Sequence, residues 1–314
     1  MSYRPRGAAG YLAADHVDEG AVRSLDGISC YQVGTGPNGL LVIPDAWGWN
    51  GGRIRALADD FAKQGLHVWV PMILKPVFEE GTDGDGLPPT FDLSFGIVRQ
   101  LGPLLKGDWG AEKVMPKIRT IVKAMRSHGV TKMGLIGFCY GAWVGMHVAK
   151  EIELVGCAAP HPSMHIESLV GGDAAALARD SKCPWAFFPA GDPQAGGDSD
   201  MYDAGGDVFR AVEEKFPGRC VTKRFPTMKH GWVTRGSIRE GQYTAGAGED
   251  VKGAVTECFA EACAFFKARG LMRRTDAQTQ SAFPASPGPS CRERRGPRRR
   301  ASSRASPGAA RRQA

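Results

Sequence analysis

Gly137-Phe138-Cys139-Tyr140-Gly141 places a thiol between two glycines at the junction of two contrasting runs. Upstream, Lys132-Met133-Gly134-Leu135-Ile136 is apolar and of strand length; downstream, Ala142 to Ala149 reads as an apolar helix. A sharp strand-to-helix turn with glycines on both sides is a nucleophile elbow, here with sulfur where serine is usual. The glycines allow a strained backbone and a close approach of the helix to neighbouring strands. The turn lifts the sulfur clear of the sheet, and the helix N-terminus behind it favours the thiolate.

A thiol nucleophile needs a base and an acid that orients the base. In strand-turn-helix enzymes of this kind the chain order is nucleophile, acid, histidine. His230, the last of seven histidines, lies in Phe225-Pro226-Thr227-Met228-Lys229-His230-Gly231-Trp232, just after a strand-like run at 220–225. The glycine after it lets the imidazole turn inward, so His230 is the expected base. The acid is expected after the strand ending at Phe188-Pro189, where Asp192 stands in Ala190-Gly191-Asp192-Pro193. Asp198, Asp200, Asp203 and Asp207 follow in the same loop and are further candidates. His161 leaves a strand at the same edge as the elbow and is expected to line the pocket. Cys157, His161 and His165 have a metal-like spacing, but they span a strand end and Pro162, so no metal site is expected.

The elements that must position these residues alternate along the chain. Runs at 27–33, 40–44, 66–70, 132–136, 154–159, 185–189 and 220–225 read as strands. Helical spacing appears at 54–61, 114–125, 165–181, 203–215 and 250–269. Repeated strand–helix units predict an α/β fold, a mostly parallel sheet with helices on both faces. Gly34 to Gly39 spells GxGxxG, but a strand follows where a dinucleotide loop requires a helix, so it is not a cofactor site. Residues 71–110 read as a long irregular insertion.

Bulk composition narrows the class. The chain of 314 residues carries a net charge of +7, yet eleven arginines and two acids fall within residues 272–314, leaving about −2 for the remainder. The body of the chain therefore offers no electrostatic case for nucleic acid. Its Ser/Pro/Arg-rich end, 271–314, is expected to be disordered; its Arg298-Arg299-Arg300 cluster is where an RNA or anionic surface would bind, if anywhere. No apolar window is long enough to span a bilayer, and the basic start lacks the apolar core of a secretory signal. Eight scattered cysteines without a CxxC pair favour a reducing compartment, and a cytoplasmic location is expected. The expected organisation is an extension at 1–24, one domain over 25–270 and the tail.

Over about residues 25–270 the chain resembles the dienelactone hydrolases, a branch of the α/β-hydrolases with a Cys-His-Asp triad. The likeness rests on Gly137 to Gly141, on His161-Pro162-Ser163 and on His230-Gly231-Trp232-Val233-Thr234-Arg235-Gly236. It also rests on Val42-Ile43-Pro44-Asp45-Ala46-Trp47-Gly48, followed by Arg53 and Lys63-Gln64-Gly65. The resemblance implies hydrolysis of a small lactone or ester through an acyl-thiol intermediate, with neither metal nor organic cofactor. It implies Cys139 as nucleophile, His230 as proton shuttle and Asp192 as orienting acid, with the backbone N–H groups of Ala46 and Tyr140 as the oxyanion hole. Asp45 stands where the family's best-known members carry a glutamate that contacts the resting thiol, and is one methylene shorter. Arg53 and Arg235 are candidates to hold a substrate carboxylate. Trp47 and Trp232, with Trp49, Trp109, Tyr140 and Trp143, are expected around an aromatic pocket. The rival readings are a thioesterase or acyltransferase on the same fold, and a non-catalytic binding protein.

Overall fold

Eight strands build one sheet: β1 (Ala21–Leu25), β2 (Ile28–Val33), β3 (Asn38–Ile43), β4 (His67–Pro71), β5 (Lys132–Gly137), β6 (Cys157–Pro160), β7 (Trp185–Phe188) and β8 (Val221–Thr222). The structure, a computed structural model, describes residues 16–74, 85–88, 97–235 and 250–273, with the backbone alone for 97–100. The strand order is β1-β2-β4-β3-β5-β6-β7-β8. β1 with β2 and β2 with β4 pair antiparallel, and every later pairing is parallel. The expected α/β architecture is therefore present.

Period-two alternation divides the core between the two faces. Leu41 and Ile43 of β3 and Trp185 and Phe187 of β7 point to one side. There they meet α2 (Ile97–Leu105), α3 (Ala111–Ser127), α4 (Tyr140–Glu151), α6 (Ala174–Arg179) and α7 (Asp207–Glu213). Leu40, Val42, Ala186 and Phe188 face the other side, covered by α1 (Ile54–Lys63) and α8 (Val251–Ala268). The short α5 (Ile166–Leu169) completes the helices of the described residues.

Several boundaries differ from the sequence expectation. The sheet starts at Ala21 rather than residue 25, and the chain before it is tied down. His16 Nε2 lies 2.6 Å from the Asp59 carboxylate on α1, which also accepts the Glu19 N–H. At the other end Leu271 and Met272 are buried, with Leu271 over Gly134, so the packed core runs past residue 270. The helical run expected at 165–181 is two helices, interrupted at Gly171, whose φ of +95° no helix tolerates. Helix α2 lies within the stretch expected to be irregular. Most of the 81–89 loop, Gly236 and the arginine-rich end fall outside the described residues. Among the described residues no helix is long and apolar enough to cross a membrane.

The parallel strands all point their C-terminal ends to one edge, where Asp45, Cys139, Ser163, Asp198 and His230 follow β3, β5, β6, β7 and β8. The elbow forms only because α4 passes very close to two neighbours. A Cβ on Gly141 would sit 2.2 Å from the Ile43 oxygen, and one on Gly137 would sit 2.3 Å from the Gly141 oxygen. Backbone atoms cannot give way there. Gly141→Ala is therefore expected to destabilise the fold by about 3 kcal/mol, measured by urea unfolding; wild-type stability would disprove the tight approach.

Candidate active site

Cys139 sits at φ +53° and ψ −114°, a conformation that L-residues avoid, between β5 and the first turn of α4. The strain presents Sγ toward the sheet edge while the residue stays 6% exposed. Its carbonyl accepts the N–H groups of Ala142 (3.0 Å) and Ser163 (3.2 Å), and its own N–H donates weakly to Pro160 (3.4 Å). The imidazole of His230 stands close enough to the thiol that each shifts the ionisation of the other. Ser163 Oγ lies 3.4 Å from Sγ and supplies a neutral hydroxyl to the sulfur.

His230 Nδ1 in turn lies 2.6 Å from Asp198 Oδ1. Burial works against ionisation of the thiol, but the charge of His230, with that of Arg235, outweighs it, and Cys139 titrates below its ordinary value. The converse holds at the imidazole. Burial pulls its pKa down, whereas Cys139 and Asp198 pull it up further, so His230 titrates above its ordinary value. The two shifts describe one thiolate–imidazolium pair, with Asp198 behind it.

The carboxylate bonded to His230 differs from the sequence expectation. Asp192 is exposed, and its side chain caps the 3-10 turn Pro193–Ala195 by accepting the Gln194 N–H at 2.9 Å. That turn sends the chain out and back, so that Gly197 packs on Gly191 and Asp198 returns to the strand end. Asp198 Oδ2 accepts the Ala190 N–H at 2.7 Å, leaving Oδ1 for His230. Arg224 holds the loop from behind. It donates to the carbonyls of Ala190, Gly191, Asp198 and Ser199 and grips Asp203 through both Nε and Nη2.

A cavity of ≈ 50 Å³ opens beside the sulfur. Its apolar wall includes Trp47, Leu101, Leu105, Trp109, Ile166 and Leu169, and Cys139, Ser163, His165, His230 and Arg235 occupy the polar side. Ala46 and Tyr140 also line it. Tyr140 is the first residue of α4, where N–H groups have no intrahelical acceptor. Its phenol is tied to the Trp109 carbonyl at 2.7 Å.

Known proteins were compared with this geometry in hand. A model of the dienelactone hydrolase family matches residues 31–263. The chain belongs to the dienelactone hydrolase family. An uncharacterized AIM2 family protein of Schizosaccharomyces pombe is 26% identical over 226 residues, covering 68% of this chain and 78% of that protein. Among solved structures, the Thermus thermophilus protein TT1662 superposes with a TM-score of 0.53 at 16% identity, covering 81% of this chain and all of that one. A dienelactone hydrolase-like promiscuous phosphotriesterase from metagenomic libraries gives 0.52 at 16% identity, covering 80% and 97%. These structural likenesses concern the fold, which is that of the α/β-hydrolases.

Within this dienelactone hydrolase family member, several expected substrate contacts have other surroundings. Arg53 is 4% exposed and donates to the carbonyls of Trp232, Val233 and Arg235, while its N–H reaches the Thr234 oxygen. It braces the loop that carries His230, and it is not among the cavity-lining residues. Arg235 does line the cavity, but its guanidinium pairs with Asp45 and lies over the Trp47 ring at 4.0 Å. Asp45 is fully buried and also accepts from the Trp47 N–H and the Thr234 hydroxyl, and its charge opposes ionisation of the thiol. His161 and Trp232 stand behind His230 rather than at the wall: His161 is fully buried with its ring 5.1 Å from His230 and 5.5 Å from Trp232. Of the expected aromatic pocket, Trp47, Trp109 and Tyr140 line the cavity. Ser163 and Arg224 were missed as functional candidates. Ser163 was visible only as part of a motif, and nothing in the sequence around Arg224 marks it.

The geometry at His230 separates the two aspartates. Asp198→Asn removes the charge that raises the imidazole, so its pKa falls and the thiolate forms only at higher pH. The midpoint of Cys139 alkylation by iodoacetamide should move upward in Asp198→Asn and stay put in Asp192→Asn. The reverse pattern would return the role to Asp192.

Proposed function

We propose that the protein hydrolyses a small carboxylic ester or lactone through an acyl-thiol intermediate on Cys139. One observation carries this reading: the electrostatically coupled line Asp198–His230–Cys139 ends with its sulfur at a cavity lined by both Ala46 and Tyr140. The Cys139 thiolate attacks the substrate carbonyl, and the oxyanion that develops is met by the backbone N–H groups of these two residues. When the intermediate collapses, the C–O bond breaks and His230 gives its proton to the departing alkoxide. Water then attacks the acyl-thiol carbonyl, His230 takes the proton, and release of the carboxylic acid restores the thiolate. Asp198 holds the imidazole orientation and its charge throughout.

The cavity supports a short, apolar acyl group. Its wall is dominated by indole rings and leucines, and Arg235 is already matched by Asp45, so a further anion there would compete with an existing ion pair. Seven unbonded cysteines among the described residues support action in a reducing compartment such as the cytoplasm.

Cys139→Ala and His230→Ala are each expected to lower kcat/KM for a short p-nitrophenyl ester by about four orders of magnitude, with folding unchanged by circular dichroism. Mass spectrometry of the wild type during turnover should find the acyl group on the peptide containing Cys139. Full turnover in Cys139→Ala would end this reading.

A further inference from the structure

Asp85 is a fully buried carboxylate that the mechanism above does not use. It belongs to the short segment 85–88, which lies directly on the turn after β3 that carries Ala46. Asp85 Oδ2 accepts the Trp49 N–H at 2.7 Å and Oδ1 accepts the Leu74 N–H at 2.6 Å. Two residues on, the Leu87 N–H donates to the Ala46 carbonyl at 2.8 Å. The approach is close enough to exclude side chains on both partners. A Cβ on Gly48 would sit 2.6 Å from Asp85 Oδ2, and one on Gly86 would sit 2.5 Å from the Ala46 oxygen. Both glycines also have positive φ, +83° and +67°. The segment thus fastens the Ala46–Trp49 turn to the end of β4 by three hydrogen bonds, two of them on one carboxylate.

We infer that Asp85, as an ionised carboxylate, is a positioning residue that holds the Ala46 N–H in the oxyanion hole. The inference rests on the hydrolytic reading above, in which that N–H meets the developing oxyanion. An ionised carboxylate can accept both backbone N–H groups at once; a protonated or amide side chain presents a hydrogen to one of them. The turn is then no longer held on both sides, and the transition state loses a well-placed donor while ground-state binding in the apolar cavity is little altered.

The surroundings of Asp85 make this ionisation sensitive to pH near neutrality. Burial raises its pKa to about 7, against the two backbone N–H groups and Lys117 of α3, which favour the charge; Asp45, at the end of β3, opposes it. Lys117 itself donates to the Ile73 carbonyl at 2.7 Å. Among the described residues, the Tyr140 phenol on α4, kept neutral by burial and by Asp85, also faces it. The linkage has a distinctive sign. A carboxyl with a raised folded-state pKa contributes stability that is complete below its unfolded pKa and lost as pH rises through about 7. Acidification from pH 8 to 6 should therefore firm the fold through this group while it weakens catalysis.

The test compares wild type, Asp85→Asn and Asp85→Glu with a short p-nitrophenyl ester between pH 5.5 and 8.5, alongside iodoacetamide alkylation of Cys139. Alkylation needs the thiolate but develops no oxyanion, so it separates the two machines. In the wild type kcat should fall below a pH of about 7 more steeply than alkylation does, with KM little changed, because alkylation follows the Cys139 thiolate alone. Asp85→Asn should lose roughly 10- to 100-fold in kcat, lose the limb near neutrality and keep wild-type alkylation; Asp85→Glu, which retains the charge, should recover part of kcat and its pH limb. Wild-type kcat in a folded Asp85→Asn, or equal losses of turnover and alkylation, would overturn the inference. If instead Cys139→Ala turned over normally, the hydrolytic reading itself would fall, and that result is independent of any Asp85 variant.

Discussion

The sulfur of a residue just 6% exposed can hold negative charge only if the protein replaces the solvation that water would have given. Most of the site follows from that requirement. His230 supplies the counter-charge, Ser163 a neutral hydroxyl, and Arg235 a more distant positive field. The imidazolium needs a partner in turn, which is Asp198. Asp198 needs its other oxygen occupied, which the Ala190 N–H does. The series ends at Arg224, which returns the positive charge to four backbone carbonyls and Asp203. Each buried charge is matched at hydrogen-bond distance, the condition under which burying charge is tolerable.

Close backbone packing holds this electrostatic line in place. The positive φ at Cys139 persists because α4 is pressed against β3 through Gly141 and against its own strand through Gly137. The same contact brings the end of β3, and with it Ala46, to the wall of the cavity that Tyr140, the first residue of α4, also lines. The strained nucleophile and the two proposed oxyanion donors are therefore consequences of one approach distance. A bulkier residue at position 141 would disturb all three together.

What was legible in the sequence was what depends on few neighbouring residues. The elbow is a pentapeptide between a strand and a helix, and His230 follows a strand with glycine after it, so both could be read locally. The alternation of apolar runs likewise gave the layered sheet. The acid was not legible, because the choice between Asp192 and Asp198 depends on how far the chain travels in the 3-10 turn between them before Gly197 meets Gly191. Arg53 reads as a candidate holder of a substrate carboxylate until α1 is docked against the His230 loop, where it is buried and braces backbone carbonyls instead. Helix α2 was the avoidable omission. Leu101, Leu104 and Leu105 have helical spacing, but Gly102 and Pro103 among them disguise it.

Three buried aspartates at this sheet edge illustrate how the surroundings of one chemical group set its use. Asp45 is matched by Arg235 and the Thr234 hydroxyl, so its charge is locked into the architecture of the His230 loop. Asp198 is matched by a group that itself titrates, so its charge is passed on to the sulfur. Asp85 accepts two backbone N–H groups, while its nearest cation in the electrostatic balance, Lys117, is bonded to a carbonyl. Dipoles stabilise a buried charge less than a counter-ion does, and its pKa accordingly rises toward neutrality. A carboxylate held only by dipoles is a poor stabiliser of the fold. It is retained at a place where losing its charge would release the turn carrying Ala46, which ties the electrostatics of one loop to the geometry of the proposed oxyanion hole.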